Sequence, residues 1–134
     1  MSADPLKPEV EALLDRAFGQ LKRWSIIWGY SLLPRTLNLA FLPEEDSDLG
    51  RCHFQTNTLW LSPKLLTKEH EETLLETLCH EAAHWMAFRR HGLGVDPHGK
   101  EWQRLMRQAG YKPRQYYEQG ISRPPSTRLN PPEN

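Results

Sequence analysis

The stretch Cys79-His80-Glu81-Ala82-Ala83-His84-Trp85 decides how the rest of the chain is read. It places two histidines four residues apart, with a glutamate directly after the first. On a helix, four residues advance the chain by about 400° and about 6 Å. Both imidazoles then leave one face, a turn apart, and can grip one ion. Glu81 is rotated by about 100° from His80. It therefore reaches a water on the metal rather than the metal itself. That geometry is the physical content of the pattern His-Glu-x-x-His. Three such fixed residues coincide by chance in roughly one chain in a few hundred of this length, at average composition.

The flanks argue that the motif is helical and enclosed. Leu74, Leu75, Leu78, Trp85 and Met86 make the segment apolar around the histidines. Ionisable groups in such surroundings need partners, because burying them alone is costly. We expect a helix from about Lys68 to Arg90, with Thr67 as its N-cap. Glu69, Glu71 and Glu72 suit its positive end, and Arg89, Arg90 and His91 its negative end. Gly92 is a C-terminal stop. Asp96 and Pro97 read as the N-cap and first residue of a further helix, which reaches Ala109 and stops at Gly110. His98 would then fall in its first turn.

Upstream, Val10, Leu13, Leu14, Ala17, Phe18 and Leu21 share one face of an amphipathic helix over residues 8–24, with Pro8 in its first turn. Arg35 to Leu42 alternates, placing Leu37, Leu39 and Phe41 on the buried side of a strand. Arg51 to Phe54 and Thr58 to Leu61 read as two more short strands, turned through Gln55-Thr56-Asn57 as a hairpin. Between the first two strands lies an acidic turn holding Glu44, Glu45, Asp46 and Asp48. Residues 121–134 contain four prolines and few apolar groups. This divides the chain into a domain over 1–120 and a flexible tail over 121–134.

A length of 134 residues suits a single domain. With 17 basic and 17 acidic side chains, no net charge draws it to nucleic acid or to an anionic membrane. Cys52 and Cys79 are too few for a disulfide framework and form no Cys-x-x-Cys pair, so they are read as buried reduced thiols. The polar start, Met1-Ser2-Ala3-Asp4-Pro5, has no apolar signal core, and no apolar run nears the roughly 20 residues that cross a bilayer. We therefore expect a cytoplasmic monomer without a membrane partner.

A catalytic zinc ion takes three protein ligands and leaves a fourth position open. His91, His98 and Glu101 are the candidates for the third, with His53 and His70 more remote. His91 stands seven residues past His84, not the six that the metzincin pattern requires.

The motif, together with Pro97-His98-Gly99-Lys100-Glu101-Trp102, resembles the SprT-like metallopeptidases, the family of the bacterial SprT proteins and of the Spartan protease domain. Leu59-Trp60-Leu61-Ser62-Pro63-Lys64-Leu65-Leu66, Glu76-Thr77-Leu78 and Arg51-Cys52 are similar too, so the resemblance covers roughly residues 10–110. It implies a compact α+β zincin: a leading helix, a small mixed sheet, the motif helix, and a helix carrying the third histidine. It also implies His98 as that third ligand. Bacterial SprT proteins often end in a cysteine zinc ribbon, and no such ribbon is present in this sequence.

The expected activity is zinc-dependent endopeptidase cleavage of a protein or peptide, with one catalytic Zn2+ and Glu81 as general base. Tyr111, Tyr116, Tyr117 and His91 are candidates for a second electrophile. The strand Asn57–Ser62 is a candidate edge for an extended substrate. Trp85 and Trp102 read as core. A rival reading is a DNA-associated binding module with a structural zinc. Residues 100–128 carry seven basic side chains (Lys100, Arg104, Arg107, Lys112, Arg114, Arg123, Arg128) against Glu101 and Glu118. DNA contact through them should be weak and non-specific. A third reading is a self-inhibited protease whose tail, with Glu133, lies in the cleft.

Overall fold

Pro8 opens helix α1, Pro8–Ile27, where its fixed φ costs nothing and its missing N–H is not needed. The computed structural model describes residues 7–114. The helix runs three residues beyond the expected end, because Trp24 and Trp28 stack and keep the last turn in the core. A one-turn helix α2, Leu33–Thr36, replaces the start of the expected first strand. Strands β1, Asn38–Phe41, β2, Gly50–His53, and β3, Thr58–Leu61, follow.

The three strands form a mixed sheet in the order β1-β3-β2. β1 is parallel to β3, and β2 is antiparallel to it. The hairpin turns as expected, through a 3-10 turn at Phe54–Thr56 and Asn57 in the left-handed region at φ 55°. β3, the strand proposed as an edge, is the central strand, and the edges are β1 and β2. The alternation expected for β1 also fails at one residue. Phe41 is exposed, and Leu42, just past the strand, enters the core instead. A four-residue edge strand is too short to impose a period of two on its neighbours.

The motif helix is α3, Glu71–His91. Thr67 does act as a cap, accepting from the His70 N–H, but for a 3-10 turn over Lys68–His70 that precedes α3. From Thr77 to Phe88 every residue of α3 is buried. This is a helix enclosed on all sides rather than an amphipathic one: α1, β2, β3 and helix α4, Lys100–Gln108, all pack on it. Trp28 Nε1 donates to the Leu105 carbonyl at 3.0 Å, joining the end of α1 to α4. Trp85 Nε1 donates to Asn57 Oδ1 at 3.0 Å, joining α3 to the hairpin tip. Arg114 pairs with Glu76 at 2.8 Å and lays the chain after α4 along the first half of α3. No helix of the described residues is long and apolar enough to cross a membrane. The expected tail, 121–134, lies outside the described residues.

Candidate metal centre

His80 and His84 leave α3 on one face, as their spacing requires, with Nε2 atoms 3.2 Å apart. His98 comes to meet them. Its Nε2 lies 3.1 Å from that of His84 and 3.4 Å from that of His80. His98 does not sit in the first turn of a helix, because α4 begins two residues later, at Lys100. Asp96 caps a tight turn instead: its Oδ1 accepts from the His98 N–H at 3.2 Å, and its carbonyl accepts from the Gly99 N–H at 3.1 Å. A Cβ at Gly99 would stand 3.0 Å from Asp96 Cβ, so a side chain there would press on the turn.

The three nitrogens form a nearly equilateral triangle. A tetrahedral zinc site with Zn–N of about 2.0–2.1 Å separates its ligand nitrogens by about 3.3–3.4 Å. Sides of 3.1, 3.2 and 3.4 Å therefore fit a zinc ion without rearrangement. The donor chemistry fits as well, since imidazole nitrogen is a preferred zinc ligand. Among the described residues the cluster has three members, and Glu81 is not one of them. His80, His84 and His98 are all buried.

Trp102 forms one wall of the cluster. Its ring centroid lies 4.8 Å from those of His80 and His98, and it stacks on His84 at 5.5 Å. Its Nε1 donates to the His80 carbonyl at 3.2 Å. Gln103 Nε2 donates to the His98 carbonyl at 3.1 Å. So α4 reaches the cluster through these two side chains, one turn after the turn that carries His98. The sequence reading of Trp102 as core holds, since it is fully buried, but it misses the contact with all three imidazoles. The position of Trp102 four residues after His98 was the available signal.

Glu81 is fully buried and faces β2. A Cβ placed on Gly50 would come within 3.1 Å of its Cγ and Oε2. The other candidates lie elsewhere. His91 ends α3 in solvent. His70 and His53 bond Thr67 and Thr56 hydroxyls at 2.8 Å. Glu101 lies in the first turn of α4 and is not a member of the cluster. Tyr111 lines a groove with Glu72, Leu75 and Glu76, outside the cluster, and burial, with the nearby Cys79 and Glu76, pushes its hydroxyl up to about 12. Tyr116 and Tyr117 lie outside the described residues. Cys52 and Cys79 are buried and form no disulfide, and burial pushes the Cys79 thiol well above its usual range.

The family model for the SprT-like family matches residues 17–123. The chain belongs to the SprT-like family. Over 58 residues it is 41% identical to Protein SprT of Pseudomonas syringae pv. tomato, covering 43% of this chain and 35% of that protein. Over 80 residues it is 35% identical to Protein SprT of Pseudomonas paraeruginosa, covering 59% of this chain and 48% of the relative. The match thus spans less than half the length of these relatives. Among solved structures, the metallopeptidase zymogen abylysin of Pyrococcus abyssi is similar with a TM-score of 0.50 and 27% identity, over 74% of this chain and 77% of that one. Helices around a small three-stranded mixed sheet give the chain an α+β fold, and the likeness to that neighbour supports a zincin-like one.

Proposed function

We propose that this SprT-like chain is a zinc-dependent endopeptidase. His80, His84 and His98 would hold the ion and Glu81 would act as general base. The observation that carries this reading is the nitrogen triangle with sides of 3.1–3.4 Å, one residue from a buried carboxylate that is not part of it. A structural zinc fills four protein positions, whereas a catalytic one keeps a place for water. A three-donor cluster beside a glutamate favours the second. Zinc there would supply Lewis-acid polarisation of a carbonyl and a water of lowered pKa. Glu81 would accept a proton from that water and return it to the leaving amine. Trp102 and the turn from Asp96 to Gly99 hold the segments that carry the imidazoles.

An extended substrate would pair with β2, not β3. β2 is an edge strand, and its Gly50 lies against Glu81. The substrate is a protein or peptide, and the chain is read as a cytoplasmic monomer. DNA-associated proteins are one substrate class to test. Of the seven basic side chains in 100–128, Arg114 is engaged by Glu76, which leaves fewer for phosphate.

The test is hydrolysis of an unfolded protein by wild type and Glu81→Gln, with metal analysis of both, in the presence and absence of single-stranded DNA. Glu81→Gln should keep its fold and its zinc and lose about 10²–10⁴-fold in rate, the scale of general-base catalysis. Activity near wild type in the variant removes Glu81 from the mechanism. Stimulation by DNA that fades steeply with salt would place the substrate on DNA.

A further inference from the structure

The close approach of β2 to α3 concerns more than packing. Thr77 and Glu81 stand one turn apart on α3 and so share a face. Gly50 touches both. A Cβ on Gly50 would lie 2.7 Å from Thr77 Cγ2 and 3.1 Å from Glu81 Cγ and Oε2. Backbone conformation does not require glycine here, since Gly50 is not among the residues with positive φ. The requirement is space.

The strand has little room to yield. On one side of Gly50 the Leu49 carbonyl accepts from the Ser62 N–H at 2.8 Å, and Leu49 is buried. On the other, Arg51 bonds Asp46 at 2.9 Å and Asp48 at 2.8 Å, clamping the acidic turn that leads into the strand. Gly50 itself pairs with Leu61 of the central strand. Any added atom must therefore be accommodated by α3, and Glu81 is fully buried there.

We propose that Gly50 is a positioning residue for Glu81: the bare backbone at this point of β2 is the wall that sets where the carboxylate stands. The proposal rests on the peptidase reading for its kinetic consequence and on geometry alone for the contact. An alanine at Gly50 would strike Thr77 first, so Gly50→Ala by itself mixes a packing defect with a displaced base. Thr77→Ser removes Cγ2 and keeps the hydroxyl, which leaves Glu81 as the close neighbour.

The experiment uses the zinc-loaded full chain and compares Thr77→Ser with Gly50→Ala/Thr77→Ser, each with Glu81 and with Glu81→Ala. Adding Gly50→Ala should lower the melting temperature when Glu81 is present and do so markedly less in the Glu81→Ala background. Zinc affinity, read by chelator competition, should not change. With Glu81 present, kcat on an unfolded protein should fall by about 10–100-fold, the usual cost of a misplaced catalytic group, with KM nearly constant. Equal melting costs in the two backgrounds would overturn the contact. Equal kcat for Thr77→Ser and Gly50→Ala/Thr77→Ser would overturn the positioning role. The melting comparison needs no activity, so an inactive wild type would sink the peptidase reading while the contact is still judged.

Discussion

Three imidazole nitrogens held 3.1–3.4 Å apart make His98 the residue on which the site turns, because it alone comes from outside the motif helix. His98→Ala should abolish tight zinc binding. His91→Ala should leave affinity unchanged, since His91 stands in solvent at the end of α3, where a cation suits the helix terminus. Glu101→Ala should also leave it unchanged, because the hydrogen bonds from α4 to the ligand segments come from Trp102 and Gln103. Zinc titration against a chelator ranks the three, and a tight site in His98→Ala would mean a different third ligand. Asp46 offers a second test. Burial pushes its carboxyl up, but the Asp48 N–H and the Arg51 guanidinium outweigh this and hold it below its ordinary 3.8. A carboxyl depressed in the folded state stabilises above its unfolded value, and that contribution is lost as pH falls through the folded one. Asp46→Asn should therefore melt below wild type at neutral pH, and the gap should close as pH falls below 3.8. A gap that stays constant in acid would show that charge has no part in the clamp.

Helix α3 is long and buried, so where it stops matters for the turn that delivers His98. Gly92 ends it at φ 87°, ψ 166°, a region open essentially to glycine, and its N–H bonds the Phe88 carbonyl at 2.8 Å. Gly92→Ala should cost about 1–3 kcal/mol by denaturant unfolding, the usual cost of such a backbone state. Gly94 lies in the same loop with open space around its Cα and no positive φ. Gly94→Ala should be neutral or slightly stabilising, through the unfolded chain. Equal costs at the two positions would mean that the loop, rather than the left-hand backbone of Gly92, determines the stop.

Across the described residues, the three clustered histidines come from two segments, α3 and the turn before α4. An ion held by both would tie α4 to the centre of the fold. Zinc should therefore raise the melting temperature, with a stabilisation of about 4 kcal/mol when free zinc is 1,000 times its Kd. Thermal scans with zinc and with a chelator check this, and His98→Ala should show no rise. Identical melting of the loaded and chelated wild type would mean that the folded chain does not bind the ion in preference to the unfolded one.

His-Glu-x-x-His was legible because a helix converts a spacing of four into a shared face, whatever surrounds it. The enclosed setting was legible from the leucines and tryptophan beside it, and the hairpin from two apolar runs around a short polar turn. Third-ligand candidates could be named, but local patterning could not choose among His91, His98 and Glu101. That choice depends on how the chain folds back after Gly92, through an Asp96 turn that ends before α4 starts rather than inside it. Strand order was also beyond the pattern: nothing within Asn57–Ser62 says that strands lie on both of its sides. Gly50 carried no signal at all, since a glycine before a strand reads as a turn. Its role follows from a distance to Glu81, 31 positions away. Residue order determines periodicity, caps and the ligand types, which are local. Close approach between segments far apart in the chain is a property of packing, and only the tertiary structure decided it.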